Sequence, residues 1–155
     1  MNDVGKEFEA MFVGRFQPFH NGHLQAIKSI LKECKNLLVV IGSSQESGTE
    51  KNPFKFELRK QLIESCVDDR VSVIDLPDIK NDDKWVQYLV ESVPKFKFVY
   101  TGSDETKKLF ELDGRFEVRN VDFLQGVNAT LIREKIQKKQ NVQDLVPYEV
   151  DKILQ

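Results

Sequence analysis

The chain is predicted to be α/β, a doubly wound parallel sheet in a single domain spanning residues 1–155, on three observations. Short runs rich in β-branched and aromatic residues recur at Glu9–Val13, Leu37–Ile41, Val71–Leu76 and Phe96–Tyr100, as expected of strands buried on both faces. Between them, apolar residues fall three and four apart over Gly22–Cys34, Phe56–Val67, Asp83–Val93 and Glu105–Leu112, the spacing of helices with one buried stripe. That βα alternation is the pattern of a parallel sheet with helices on both faces, whose ligands lie beyond the carboxyl ends of the strands. A fifth strand is expected over Phe116–Val121, after Gly114 ends the preceding helix. Two further helices are expected, over Thr130–Lys138 and Val146–Leu154.

Composition narrows the function. Hydrophobic residues make up 40% and charged residues 31% of 155, the balance of a globular chain able to bury a core. The net charge of −2, with Lys and Arg interspersed among Asp and Glu, argues against a nucleic-acid partner. No apolar run approaches the ~18 residues that span a bilayer, so no membrane partner is expected. Met1–Ala10 lacks the basic-then-apolar pattern of a secretory signal, which points to a cytoplasmic location. Cys34 and Cys66 each continue a helical apolar spacing and read as small core residues rather than a disulfide or a metal pair.

The first strand runs directly into Gly14-Arg15-Phe16-Gln17-Pro18-Phe19-His20-Asn21-Gly22-His23, where the sheet should present its ligand. A glycine ending the strand admits close approach of a phosphate, and Gly22 at the helix start should leave amide hydrogens free to meet an anion. His20 and His23 are the chain's two histidines and lie one helical turn apart, so their rings can share one face. With Arg15 they form a set of positive hydrogen-bond donors suited to the charge that phosphoryl transfer develops. An ordinary surface or core pair, or a metal pair wanting a third ligand, is the competing reading of the histidines alone. Their setting between strand and helix, flanked by Gly14, Arg15 and Gly22, favours phosphate.

His20-Asn21-Gly22-His23 has the HxGH form of the nucleotidylyltransferase superfamily, and the longer GRFQPFHNGH stretch is similar to the archaeal-type nicotinamide-mononucleotide adenylyltransferases. The resemblance continues through Ile41-Gly42-Ser43-Ser44-Gln45, Asn52-Pro53-Phe54 with Glu57 and Arg59, and Pro77-Asp78-Ile79 followed by Trp85-Val86. It implies a Rossmann-like nucleotidylyltransferase fold. It also implies transfer of AMP from ATP to nicotinamide mononucleotide, with in-line attack on the α-phosphorus, loss of pyrophosphate and no covalent enzyme intermediate. Mg²⁺ would be carried by the ATP phosphates, with no metal ligands on the protein, and the assembly would be a homo-oligomer such as a hexamer.

Carried over residue by residue, the resemblance puts Arg15, His20, His23 and Arg133 on the reacting phosphates as catalytic groups. Gly14, Phe16, Gln17, Gly22, Asn128 and Thr130 would bind ATP, and Gly42, Ser44, Gln45, Asp78 and Trp85 the acceptor. Trp85, the chain's single tryptophan, would stack on the nicotinamide, an electron-poor cation facing an electron-rich indole. The competing reading makes it core, on the Trp85, Tyr88, Leu89 face of its helix.

The chain departs from the family at Asn128-Ala129-Thr130-Leu131-Ile132-Arg133, where serine and glycine are expected ahead of the threonine. Asparagine can still cap a helix, whereas the Ala129 methyl would crowd a phosphate resting on backbone. Phe123-Leu124-Gln125-Gly126-Val127 also lacks the family's usual arginine and tyrosine. Two alternatives follow: another phosphorylated acceptor such as FMN or phosphopantetheine, or a nucleotide-binding homologue without turnover.

Overall fold

The computed structural model describes residues 5–121 and 124–155; part of the Met1–Ala10 segment, and Phe123 of the segment before Val127, lie outside them. Five parallel strands, β1 (Phe8–Gly14), β2 (Leu37–Gly42), β3 (Val71–Leu76), β4 (Phe96–Thr101) and β5 (Glu117–Asn120), form one sheet in the order β3-β2-β1-β4-β5. Helices α1 (Asn21–Glu33), α2 (Phe56–Glu64), α3 (Asp82–Ser92), α4 (Asp104–Asp113), α5 (Ala129–Gln137) and α6 (Tyr148–Leu154) complete the described elements.

Strand alternation sorts the core into two layers. Ala10 and Phe12 of β1, with Leu37, Val39 and Ile41 of β2, face α1, α2, α5 and α6, which contribute Ile27, Ile30, Leu62, Ile63, Ile132 and Val150. Met11 and Val13, with Leu38 and Val40, face the other way, onto Val86 and Leu89 of α3 and Phe110 of α4. Central β1 is buried at almost every position because it is covered on both faces and paired on both edges. Cys34 sits in the first layer and Cys66 packs against its margin, both as free thiols.

The expected elements all form, with boundaries moved for identifiable reasons. The helix expected to start at Val146 starts instead at Tyr148, because Pro147 occupies the extended N-cap and keeps the residue before it out of the helical region. α2 stops at Glu64 rather than Val67, where the Ser65 hydroxyl donates to the Leu62 carbonyl and turns the chain toward β3. α4 ends at Gly114, whose φ of +80° is the left-handed cap that favours glycine. No helix is long and apolar enough to cross a membrane among the described residues.

Because all strands are parallel, the segments after β1, β2, β3 and β4 emerge at one end of the sheet. β1 lies between β2 and β4, so the chain order reverses there and a crevice opens above its carboxyl end.

Candidate active site

Two cavities flank the end of β1. One, of about 570 Å³, is lined by Arg15, Phe16 and Gln17 from the β1–α1 loop, His23 of α1, Glu50 and Lys51, and Ala129, Thr130 and Arg133 of α5. The other, of about 560 Å³, is lined by Gly14, Arg15, Gly42, Ser43, Asp78, Ile79, Asp82, Trp85, Ser103, Glu105 and neighbouring apolar groups. Arg15 lines both and is exposed between them.

The histidines owe their placement to helix capping. His20 is the N-cap of α1, and its Nδ1 accepts from the amides of Gly22 and His23, at 3.1 and 3.3 Å. The Nδ1 of His23 in turn accepts from the His20 amide at 3.2 Å. This is a capping box in which imidazoles replace the usual hydroxyl and carboxylate. The Asn21 amide donates to the Leu145 carbonyl. The expectation of amides left free at Gly22 is therefore corrected: the first turn of α1 is satisfied internally, and of the two histidines His23 lines the cavity while His20 is buried beside it.

The box also sets the protonation of the rings. A neutral imidazole that accepts at Nδ1 carries its hydrogen on Nε2, so both histidines are assigned as Nε2–H donors. The rings stack, with centroids 3.6 Å apart, and His23 also meets the edge of Phe16 and the face of Phe19. Burial depresses the His20 pKa to about 4, and burial followed by the neighbouring His20 pushes His23 well down. The sequence reading of two positive donors is corrected to two neutral ones in the absence of a bound anion.

That shift has a consequence for stability. Folded His20 takes its proton only near pH 4, whereas in the unfolded chain it does so near 6.5. Between these values the unfolded state binds more protons, so the contribution of neutral His20 is intact above pH 6.5. It is lost on acidification, up to about 3 kcal/mol by pH 4. The stability difference between the native chain and His20→Asn in urea unfolding should shrink from pH 7 to 4.5. A constant difference would show that His20 is not held neutral by the fold.

Phe16 adopts a left-handed φ of +53°, which folds its ring back beneath the strand end. A Cβ at Gly14 would stand 3.1 Å from that ring, so the glycine makes room for Phe16. Gln17 lends the first cavity part of its wall while its side-chain amide is committed elsewhere, donating to the Phe54 carbonyl and accepting from the Phe54 amide.

Arg133 donates through Nη1 to the Gln17 carbonyl at 2.9 Å and through Nη2 to the Thr130 hydroxyl at 3.3 Å. Burial, then the charge of Arg15, lowers its pKa. Two guanidiniums that repel each other across a cavity are what an anion would relieve. Asn128 caps α5, its Oδ1 accepting from the Leu131 amide at 2.8 Å, as serine would. The Ala129 methyl lines the same cavity.

On the second side, Asp78 follows β3, its carboxylate accepting from the Ser43 hydroxyl and its amide donating to Gln45 Oε1. Gly42, Asp78 and Trp85 line the cavity, whereas Ser44 and Gln45 do not; the Ser44 amide donates to the Leu76 carbonyl. Trp85 is half-buried, edge-on to Phe110 at 5.8 Å, and serves both the second core layer and the cavity wall.

The loops are tied together by a residue to which the sequence assigned no role. Arg59 is fully buried and donates through Nη1 to the carbonyls of Arg15 and Gly42, and through Nη2 to those of Ser43, Ser44 and Glu46, at 3.0 to 3.4 Å. It joins the loops after β1 and β2. The signal lay in its spacing: Arg59 shares the apolar face of α2 with Leu62 and Ile63. Asp82 and Glu105 were likewise unassigned.

Residues 11–146 match the cytidylyltransferase-like family, the class that this sheet order and histidine-bearing loop define. The nicotinamide-nucleotide adenylyltransferase of Thermococcus sibiricus is 35% identical over 147 residues, covering 90% of this chain and 79% of the relative. That of Pyrococcus furiosus is 36% identical over 148 residues, with the same coverage. At that identity and coverage, the chain belongs to the nicotinamide-nucleotide adenylyltransferase family within that class. Among solved structures, a bifunctional NMN adenylyltransferase/ADP ribose pyrophosphatase from Francisella tularensis, complexed with AMP and a manganese ion, superimposes with a TM-score of 0.73 at 28% identity. The match covers 95% of this chain and 49% of that protein, so this chain spans about half of it.

Proposed function

We propose that the chain transfers AMP from ATP to nicotinamide mononucleotide, forming NAD and pyrophosphate. The observation that carries this reading is the position of Arg15 at the wall common to two cavities of unlike chemistry. One has donors for a polyphosphate, and the other has an indole and carboxylates for a cationic ring and its ribose. A phosphate of the acceptor entering from one side would meet the α-phosphate of ATP arriving from the other beside Arg15.

In this reading an oxygen of the mononucleotide phosphate attacks the α-phosphorus, a new P–O bond forms, and the bond to the β-phosphate oxygen breaks in line. Pyrophosphate leaves with the electron pair. His20 and His23 Nε2–H, Arg15 and Arg133 would donate to the phosphate oxygens as charge shifts toward the leaving group. The helix start at Ala129 and Thr130, whose first amides have no partner within α5, would add backbone donors. Among the described residues, no group of three or more His, Cys, Asp or Glu is placed to hold an ion. A divalent cation, Mg²⁺ in this reading, would arrive on the triphosphate, where it screens the phosphate charge.

The deciding experiment incubates the protein with Mg-ATP and each of nicotinamide mononucleotide, FMN and phosphopantetheine, and measures pyrophosphate and adenylylated product. Product from the mononucleotide alone is expected. Product from another acceptor would reassign the substrate, and ligand binding without pyrophosphate would make the chain a binding protein. The reading also includes a homo-oligomer, which rests on family resemblance and can be measured by light scattering, and a cytoplasmic location, which rests on the residues of Met1–Ala10.

Stacking by Trp85 gives a sharper test. Trp85→Ala should raise the KM for the mononucleotide about five- to a hundredfold, the scale of ~1–3 kcal/mol for a base on an aromatic ring, with little change for ATP. Equal losses for both substrates would mean that removing the indole from Phe110 damaged the core instead.

A further inference from the structure

We propose that Ser43 is a positioning residue for the acceptor: its hydroxyl fixes the Asp78 carboxylate in the cavity wall, and the backbone strain at Ser43 is retained for that bond. The inference rests on the adenylyltransferase reading above and adds a residue to the same site.

Ser43 follows Gly42 at the end of β2 and has a left-handed φ of +52°. Glycine enters that region freely, whereas serine is disfavoured there, so a side chain kept at such a position points to a use for it. The residue is 2% exposed, and its hydroxyl and carbonyl are both engaged. The hydroxyl donates to Asp78 Oδ2, and the carbonyl accepts from Arg59 Nη2 at 3.1 Å. Arg59 also holds the carbonyls of Gly42 and Ser44 on either side, at 3.1 and 3.4 Å, so the backbone that aims the hydroxyl is fixed by a buried guanidinium.

Asp78 is gripped from the same loop at a second point, its amide donating to Gln45 Oε1 at 3.1 Å. Three carboxylates line this cavity, those of Asp78, Asp82 and Glu105. Among the described residues, that of Asp78 alone of the three accepts a side-chain hydrogen bond, which gives it a set direction. Its Oδ1 accepts none and the carboxylate has no ion pair among those residues. One oxygen is thus committed to Ser43, and the other is left to accept from a hydroxyl of the acceptor's sugar. A carboxylate oriented before the ligand arrives loses less side-chain freedom on binding. Removing the Ser43 hydroxyl leaves the charge of Asp78 in place and frees its rotation, an effect of about two- to tenfold on the acceptor KM.

The test measures kcat and KM for the mononucleotide and for ATP, with urea midpoints, in the native chain, Ser43→Gly, Ser43→Ala, Asp78→Ala and the double variant of Ser43→Gly with Asp78→Ala. Ser43→Gly removes the hydroxyl and relieves the left-handed backbone. It should raise the mononucleotide KM about two- to tenfold, with the ATP KM and the urea midpoint close to native. Ser43→Ala keeps the backbone strain and should raise the mononucleotide KM equally. In the Asp78→Ala background, Ser43→Gly should have no further effect, because it acts through the carboxylate. Four results overturn the inference while leaving the adenylyltransferase reading standing: a native mononucleotide KM in Ser43→Gly, unequal effects of glycine and alanine, equal rises for both substrates, or a full additional effect in the Asp78→Ala background. Absence of product from the native chain with the mononucleotide overturns that reading, and the inference with it.

Discussion

Replacing His23 with alanine should lower turnover on the order of a hundredfold or more while changing acceptor binding little. The ring lines the first cavity, and its Nδ1 accepts from the His20 amide, which fixes the tautomer with the hydrogen on Nε2. A donor positioned in that way gains most when charge accumulates on phosphate oxygens, late in bond cleavage, so its removal appears in kcat. Arg133→Ala should act in the same direction and nearly abolish product, since it removes one of the two opposed guanidiniums. Steady-state kinetics with circular dichroism as a check on folding would measure both. A folded His23→Ala protein that turns over at close to the native rate would remove the histidine from the chemistry.

Arg59→Ala is expected to have the largest effect on stability, about 3–5 kcal/mol, because five backbone carbonyls lose their donor where water is excluded. The side chain is 0% exposed, so truncation also leaves a cavity under the two loops. Lysine should recover only part of the loss, since a single ammonium cannot span carbonyls on both loops as the planar guanidinium does. Urea midpoints of native, Arg59→Ala and Arg59→Lys proteins give the comparison. A midpoint for Arg59→Ala within experimental error of the native value would show that the loops hold their shape without it.

The fold was readable because each strand carries an apolar run and each helix an apolar spacing, and the buried positions Val39, Leu62 and Phe110 agree with them. Its edges were less so: the start of α6 turned on Pro147, a local constraint that an apolar spacing does not register. The loop with His20 and His23 was found from residue type and position, but the direction of the capping bonds was not, because a helix start can be closed by side chain or left for a ligand with the same residues. Arg59 went unassigned for a related reason. Its partners are carbonyls, which every residue has, so nothing at Arg15 or Ser44 announces that an arginine is aimed at them.

The division of the two cavities along β1 bears on how such a protein can diversify. The cavity proposed for the acceptor takes Asp78, Asp82, Trp85, Ser103 and Glu105 from the β3-to-α4 segment, and Gly14, Arg15, Gly42 and Ser43 from the ends of β1 and β2 and the loops after them. The donor side is closed by the chain's two ends, with Arg133 reaching across 116 residues to the carbonyl of Gln17. Changes confined to the loops after β3 and β4 would therefore alter the acceptor-side wall and leave the donor-side residues in place, whereas β4 itself is paired to β1 and is shared by both sides. The architecture ties the donor half together by long-range bonds and leaves the other half to the starts of α3 and α4, set on a sheet that both halves share.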